Sequence, residues 1–295
     1  MTTEKLPGVE IPREFWPCSS RSGGSLPQFL SENPVRLWCL ASNPNWLFCL
    51  VIMPGPVCWA CLIGPLPDPV PTSLGPLCND IWTEGFRWIR DLGCHVVQFL
   101  VDLPESIHSV PFHPTIPLPK AFAPVTEFRD LLWKKKARPD VVFQRKGCSW
   151  IRSSAGECGE IAVRTMSGSL DCPELAAYRS DHCAWESLVQ IHGPQKTCWI
   201  FQWDKKPAGI LLGQLPESGL NSAKETGEIS YFGLVPEFRG KNLGSQMLSQ
   251  FLWEMVPESG SMITMVDSRN SPACKTYQRV GFENFRTSRL FLAKS

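Results

Sequence analysis

At 295 residues the chain is long enough for two domains that each bury a core. Its 43% hydrophobic and 19% charged content describes a globular protein and argues against a disordered one. A formal net charge of +1 gives no electrostatic reason to expect nucleic acid or an anionic membrane as partner, since both need a clustered positive surface.

In chain order, the first unusual stretch is residues 37–67, which carry no charged side chain. Within it "WLFCLVIMPGPVCWACLIG" has the length and apolarity of a membrane span. A Pro-Gly-Pro in its middle would break a helix, whereas between two runs rich in Val, Ile, Phe and Trp it reads as a turn joining buried strands. We therefore expect a soluble hairpin and no membrane. Cys58 and Cys61 form a CxxC in this run, without the second pair or the histidines of a zinc site, so core packing is expected. The 13 cysteines are spread through apolar runs behind a start with no secretory signal, which points to free buried thiols in a reducing cytoplasm. The one basic run, "WKKKAR" at 133–138, reads as a solvated linker.

The second half has clearer grammar. "CPELAAYRSDHCAWESLVQIHG" predicts one or two helices, and "TCWIFQWDKKPAGILLGQL" a hairpin turning at Asp204 to Pro207. "EISYFGLV" predicts a strand ending at Pro236. After it, Leu243, Met247, Leu248, Phe251, Leu252 and Met255 recur at helical spacing until Pro257. "SMITMVDS" is a further strand. Ser271 and Pro272 read as cap and first turn of a short helix stopped by Gly281, and strand-like residues close the chain. This alternation is an α/β or α+β arrangement with a mixed sheet.

The halves also resemble each other. "VCWACLIGPLPDPVPTSLG" matches "PAGILLGQLPESGLNSA", "IWTEGFRWIRDLGCHVVQFLVD" matches "MLSQFLWEMVPESGSMITMVD", and "AFAPVTEFRDLLWKK" matches "GFENFRTSRLFLAK". In this alignment the second copy has extra residues that cover "GLVPEFRGKNLG", at 233–244, where the first has only "GPLCND". The reading is an asymmetric duplication: a first domain at 1–145 that lacks the loop, and a working domain at 146–295.

No dinucleotide fingerprint, phosphate loop, nucleophile elbow or metal helix occurs, and His95, His108, His113, His182 and His192 lack ligand spacing, so no metal is expected. "EFRGKNLG" is different. A strand ending at a proline, a loop with Arg239, Gly240, Lys241 and Gly244, and an immediate helix put unpaired backbone N–H groups and the positive end of a helix dipole at one spot, a good anion site.

In this context the second half resembles the GNAT acetyltransferase superfamily. "RGKNLG" fits that family's acetyl-CoA loop from Arg239 to Gly244, with Asn242 in place of the middle glycine; asparagine is the side chain most tolerant of left-handed backbone. "VDSRNSPACKTYQRVGF" looks like the family's second motif. The resemblance implies two GNAT-like domains, each a mixed, mostly antiparallel sheet flanked by helices. It implies acetyl-CoA as co-substrate, held by Leu234, Val235, Arg239, Gly240, Lys241, Asn242, Leu243, Gly244, Ser245 and Asn270. Backbone amides near Leu234 and Val235 would serve as oxyanion donors, and Tyr277 as the acid for the thiolate. Tyr277 also shares a helical face with Ala273 and Val280, the pattern of a core aromatic. Glu228 holds the position of a general base in some members and is equally a strand-end carboxylate; Asp267 is a third possibility or a loop cap.

The activity so implied is transfer of acetyl from acetyl-CoA to a primary amine by direct attack, the acceptor being a small-molecule amine, a protein N-terminus or a lysine. The alternative is a non-catalytic acyl-CoA-binding or interaction protein. Neither the acceptor nor the oligomeric state is written in the sequence.

Overall fold

A computed structural model of the chain describes residues 35–39, 47–52, 56–63, 93–103, 120–135, 147–192, 196–216, 226–257 and 260–294, with parts of 83–91. Its strands in the first half are β1 (Val35–Cys39), β2 (Leu47–Ile52), β3 (Val57–Ile63), β4 (Val96–Asp102) and β5 (Ala123–Lys134). Then come β6 (Cys148–Ser153), helices α1 (Gly159–Met166), α2 (Pro173–Ala176) and α3 (Asp181–His192), and strands β7 (Thr197–Trp203), β8 (Lys206–Gln214) and β9 (Thr226–Leu234). Helix α4 (Leu243–Met255), strand β10 (Ser261–Asp267), helix α5 (Ser271–Val280) and strand β11 (Glu283–Lys294) complete the order. The chain divides into two compact units: residues 1–127 with 174–179 and 286–295, and residues 128–173 with 180–285.

In the first unit, β1, β2 and β3 run antiparallel, β3 lies parallel to β4, and β4 pairs antiparallel with Ser288–Lys294 of β11. The uncharged stretch is thus the β2–β3 pair, with Leu47 opposite Ile63 and Ile52 opposite Cys58. Among the described residues no helix is long and apolar enough to cross a membrane. Cys58 is buried, as core packing requires, and its thiol is pushed up by a hydrogen bond to Cys94 and by burial.

The second unit repeats this pattern. Strands β6, β7, β8 and β9 run antiparallel, β9 lies parallel to β10, and β10 pairs antiparallel with Phe128–Lys134 of β5. The sheets therefore equate β3 with β9, the strand before the parallel partner, whereas the sequence match set β3 against β8. That shift removes the basis for the extra residues of the second copy. Residues 64–82, directly after β3, lie outside the described residues, and with them the proposition that the first copy lacks the loop. The matched closing segments also exchange roles: each unit's sheet is finished by a strand whose sequence neighbours lie in the other.

Helices cover both faces of this part of the sheet, so β8 is apolar and buried from Ala208 to Gly213. On one face α4 buries Leu243, Met247, Leu248, Phe251 and Leu252, at helical spacing. Phe251 makes edge contacts with Trp150 and Trp199, both at 5.0 Å between centroids. On the other face α1 and α3 pack Ile161, Ala162, Met166 and Trp185 onto Ile210 and Leu212. In that layer Cys158 and Cys198 are joined as a disulfide, which corrects the expectation of free thiols for this pair. Packing α1 on the sheet brings together two cysteines 40 residues apart, which spacing alone does not reveal.

Elements that escaped the sequence reading include β1, β6, whose "CSWIRS" is half polar, and the eight-residue α1. The basic run at 133–138 is not simply a linker, because Lys135 donates to the carbonyls of Trp253 and Val256 at 3.1 and 2.6 Å, at the C-terminus of α4.

Candidate active site

The site begins with a divergence of two parallel strands. β10 pairs with β9 only from Thr226 to Ile229, after which no described strand lies on that edge of β9. On the opposite edge, the β8 register shifts so that Tyr231 faces Leu212 and Ile229 faces Gly213, which leaves Ser230 as a bulge. Beyond the bulge, Val235 donates its N–H to Ala208 at 3.0 Å. Antiparallel pairs alternate, so Val235, Gly233 and Tyr231 turn their backbone groups toward β8, and Phe232 and Leu234 turn theirs to the edge that β10 has left. The result is a cleft of about 740 Å³.

Of the two amides expected as oxyanion donors, Leu234 faces this cleft and Val235 is committed to the sheet. Phe232, which the sequence reading did not single out, shares the orientation of Leu234. Only the register reveals this alternation.

The loop after β9 closes one end. A single 3-10 turn at Pro236–Phe238 leads to Arg239, whose guanidinium donates to Leu234 O at 3.0 Å and Thr165 O at 2.8 Å. Arg239 thus ties the loop root to the end of α1 while lining the cleft. Gly240 has φ of 73° and Asn242 φ of 57°, both left-handed. Lys241 does not line the cleft; its ammonium lies 5.6 Å over the Phe238 ring.

Helix α4 starts here without a side-chain cap or an acidic residue in its first turn. Asn242 Oδ1 instead accepts from the Ser245 hydroxyl at 3.0 Å and from Arg279 at 2.9 Å. The first amides of α4 are therefore left to the cleft, with Lys275 and Arg279 of α5 on its rim. Leu243 lines the cleft, and its side chain is buried with Phe201 and Met247. A Cβ at Gly244 would meet Thr276 at 3.6 Å and Leu234 at 3.7 Å, ordinary contact. The protein itself does not demand glycine there; a pyrophosphate approaching the amides would. The loop fits the phosphates of a CoA in charge, donors and room.

Asn270 caps α5, accepting from Ala273 N at 3.2 Å and donating to Asp171 Oδ1 at 3.0 Å. The cap is thus one residue earlier than Ser271. Tyr277 reconciles its two readings: it is buried, stacks edge-on against Phe282 at 5.2 Å, and still lines the cleft. Burial raises its pKa, a hydrogen bond with Thr264 opposes this, and the charge of Asp171 adds to it, so the phenol keeps its proton. The Thr264 hydroxyl itself donates to Ile229 O at 3.0 Å.

The acids expected as bases lie elsewhere. Glu228 does not line the cleft: it pairs with Lys196 at 2.7 Å and accepts from Ser230 at 3.1 Å, both charged side chains being nearly enclosed. Burial lowers the Lys196 pKa, against the pull of Glu228. Asp267 is fully buried and accepts from Cys172 N at 3.0 Å and Arg269 at 2.9 Å. Asp171, between α1 and α2, does line the cleft, and nothing in "SLDCPE" marks it. Among the described residues no cluster of His, Cys, Asp and Glu is arranged to hold a metal ion.

Residues 164–282 match the model of the Acetyltransferase (GNAT) family, and this stretch is a GNAT acetyltransferase domain. Mycothiol acetyltransferase of Corynebacterium aurimucosum is 37% identical over 126 residues, covering 37% of this chain and 40% of that protein. The match thus spans well under half of the relative. Among solved structures, a GCN5-related N-acetyltransferase from Kribbella flavida aligns over 93% of this chain and 95% of its own with a TM-score of 0.55 and 12% identity. A tandem GNAT protein from the clavulanic acid biosynthesis pathway aligns over 89% and 83% with a TM-score of 0.54 and 14% identity. These two likenesses are of fold.

Proposed function

We propose that the chain is an N-acetyltransferase that moves the acetyl group of acetyl-CoA to a primary amine by direct attack, in a domain within residues 146–295. The observation that carries this reading is the cleft where β9 and β10 diverge, with backbone N–H groups of Phe232 and Leu234 on one wall and an uncapped helix start at its end. The family match over 164–282 and the relative named for acetyl transfer support the same chemistry.

In this reading the amides of 240–245 with Lys275 and Arg279 bind the CoA phosphates, Arg239 keeps the loop in place, and Asn270 shapes the wall for the arm. Acetyl-CoA supplies an activated acyl carbon. Phe232 and Leu234 N–H groups stabilise negative charge on the acyl oxygen, and Tyr277, held protonated, gives its proton to the departing sulfur. The cysteines take no covalent part. A cytoplasmic setting suits this co-substrate.

The alternative, a protein that binds acyl-CoA without turning it over, is favoured by one observation: the strand carboxylate Glu228 is neutralised by Lys196. Titration calorimetry tests the shared premise. The wild type binds acetyl-CoA, and Gly244→Glu, which places a carboxylate over the loop amides, weakens binding by about 100-fold or more. Equal affinity in the variant, with the circular dichroism of both unchanged, removes the loop from the site. Binding without thiol release across primary amines favours the alternative.

A further inference from the structure

We propose that Asp171 takes the proton from the acceptor amine, and that Leu170 and Met265 beside it receive an apolar body bearing that amine, so that the acceptor is a primary amine on an alkyl or arylalkyl group. This rests on the acetyl-transfer reading. Of the three carboxylates near the cleft, Glu228 is paired with Lys196 and Asp267 with Arg269. Asp171 lines the cleft, accepts from Asn270 on Oδ1 and from the backbone at Asp267, and pairs with no Lys or Arg among the described residues. Its loop is fixed: Asp267 accepts the N–H of Cys172, which stands at φ of 41°, a conformation most side chains avoid.

Asp171 also lies within electrostatic reach of Tyr277, and both line the cleft. Although its residue opens to solvent, the cleft walls desolvate the Asp171 carboxyl and raise its pKa, against the hydrogen bonds from Asn270 and the backbone at Asp267, with repulsion from the Asp267 charge adding to the rise. The titratable groups around it are Asp267 on β10, Tyr231 on β9, and Cys274 and Tyr277 on α5. A carboxylate so placed first attracts the acceptor as an ammonium and then accepts its proton.

The apolar half of the proposal has its own support. Leu170 is 51% and Met265 38% exposed, two of the four large hydrophobics that stand exposed among the described residues, and both line this cleft. Exposed apolar side chains gathered at a concave site mark a binding surface. A polyhydroxylated or polycationic acceptor would leave them without a partner.

The step balances. The ammonium gives one proton to Asp171, which passes it to solvent; the neutral nitrogen bonds the acyl carbon as the carbon–sulfur bond breaks. The sulfur takes the proton of Tyr277, and the nitrogen's second proton restores the phenol. The products are an amide, a thiol and one released proton.

The test measures thiol release by the full chain with acetyl-CoA, using hexylamine and phenethylamine against glucosamine and spermine, across pH. The wild type prefers the first two. Asp171→Asn lowers kcat roughly 100-fold or more and loses the acidic limb of the pH profile at unchanged acetyl-CoA affinity, and Asp171→Glu recovers part of the rate. Leu170→Ser with Met265→Ser raises KM for phenethylamine about 10-fold and changes kcat little. Wild-type kcat and pH profile in Asp171→Asn, at a melting temperature equal to the wild type, overturn the base. A preference for glucosamine or spermine overturns the acceptor class. Absence of wild-type thiol release with every amine overturns the transfer reading and this inference with it.

Discussion

At Glu228 the carboxylate meets a lysine that is 32 residues away in sequence, and at Asp171 the same group faces a cleft. The strand-end position of Glu228 was legible in the sequence; its neutralisation was not, because Lys196 is brought in by the pairing of β7 and β9 on either side of β8. Removing one member of a nearly enclosed pair leaves a buried charge. Lys196→Met is therefore expected to destabilise by about 3–5 kcal/mol in urea denaturation, and Lys196→Met with Glu228→Leu to recover most of it. Asp171 has the opposite economy. A raised folded-state pKa means that the folded chain binds this proton more tightly than the unfolded one. The stability so gained is present below the ordinary carboxylate range and lost as pH rises through the folded pKa. Asp171→Asn should consequently melt higher relative to the wild type at pH 8 than at pH 4, and a pH-independent difference would contradict that sign. Asn242 was legible for a physical reason, since few side chains accept the left-handed backbone observed there.

Among elements, the hairpin β7–β8, the strands β9 and β10 and the helices α4 and α5 were readable because periodicity and Pro or Gly punctuation agree at their ends. α1 and β6 were not, being short and of mixed polarity. The bulge at Ser230 and the facing of Phe232 and Leu234 have no sequence signal at all, since both depend on which residue of β8 stands opposite. The start of α5 separates two readings cleanly. If Asn270 is the cap, Asn270→Ala costs about 1 kcal/mol in chemical denaturation and Ser271→Ala only a few tenths. The reverse ranking would restore Ser271 as the cap.

For the whole molecule, the internal repeat was visible in the sequence and returns as two sets of strands with the same order of antiparallel and parallel pairs. Its alignment was displaced by one strand, because β3 and β8 share glycine-flanked apolar runs while sheet position equates β3 with β9. The exchanged closing strands were not visible either, as pairing partners so distant in sequence, such as Ser261 with Lys134 and Ser288 with Asp102, leave no local mark. They carry a consequence for dissection. A fragment of residues 146–295 lacks Phe128–Lys134 and bares the edge of β10, so it should aggregate or melt well below a fragment of residues 120–295, as followed by light scattering and thermal unfolding.

In the proposed reaction a cleft between parting strands, a helix start that takes phosphate and a protonated phenol together transfer acetyl to an amine. The most direct test is release of free thiol from acetyl-CoA by the purified chain, with and without a panel of primary amines, for the wild type and Tyr277→Phe. Release that depends on the amine and falls roughly 100-fold in Tyr277→Phe is the expected result. Tight acetyl-CoA binding with no amine-dependent release, or release undiminished in Tyr277→Phe, would contradict the account.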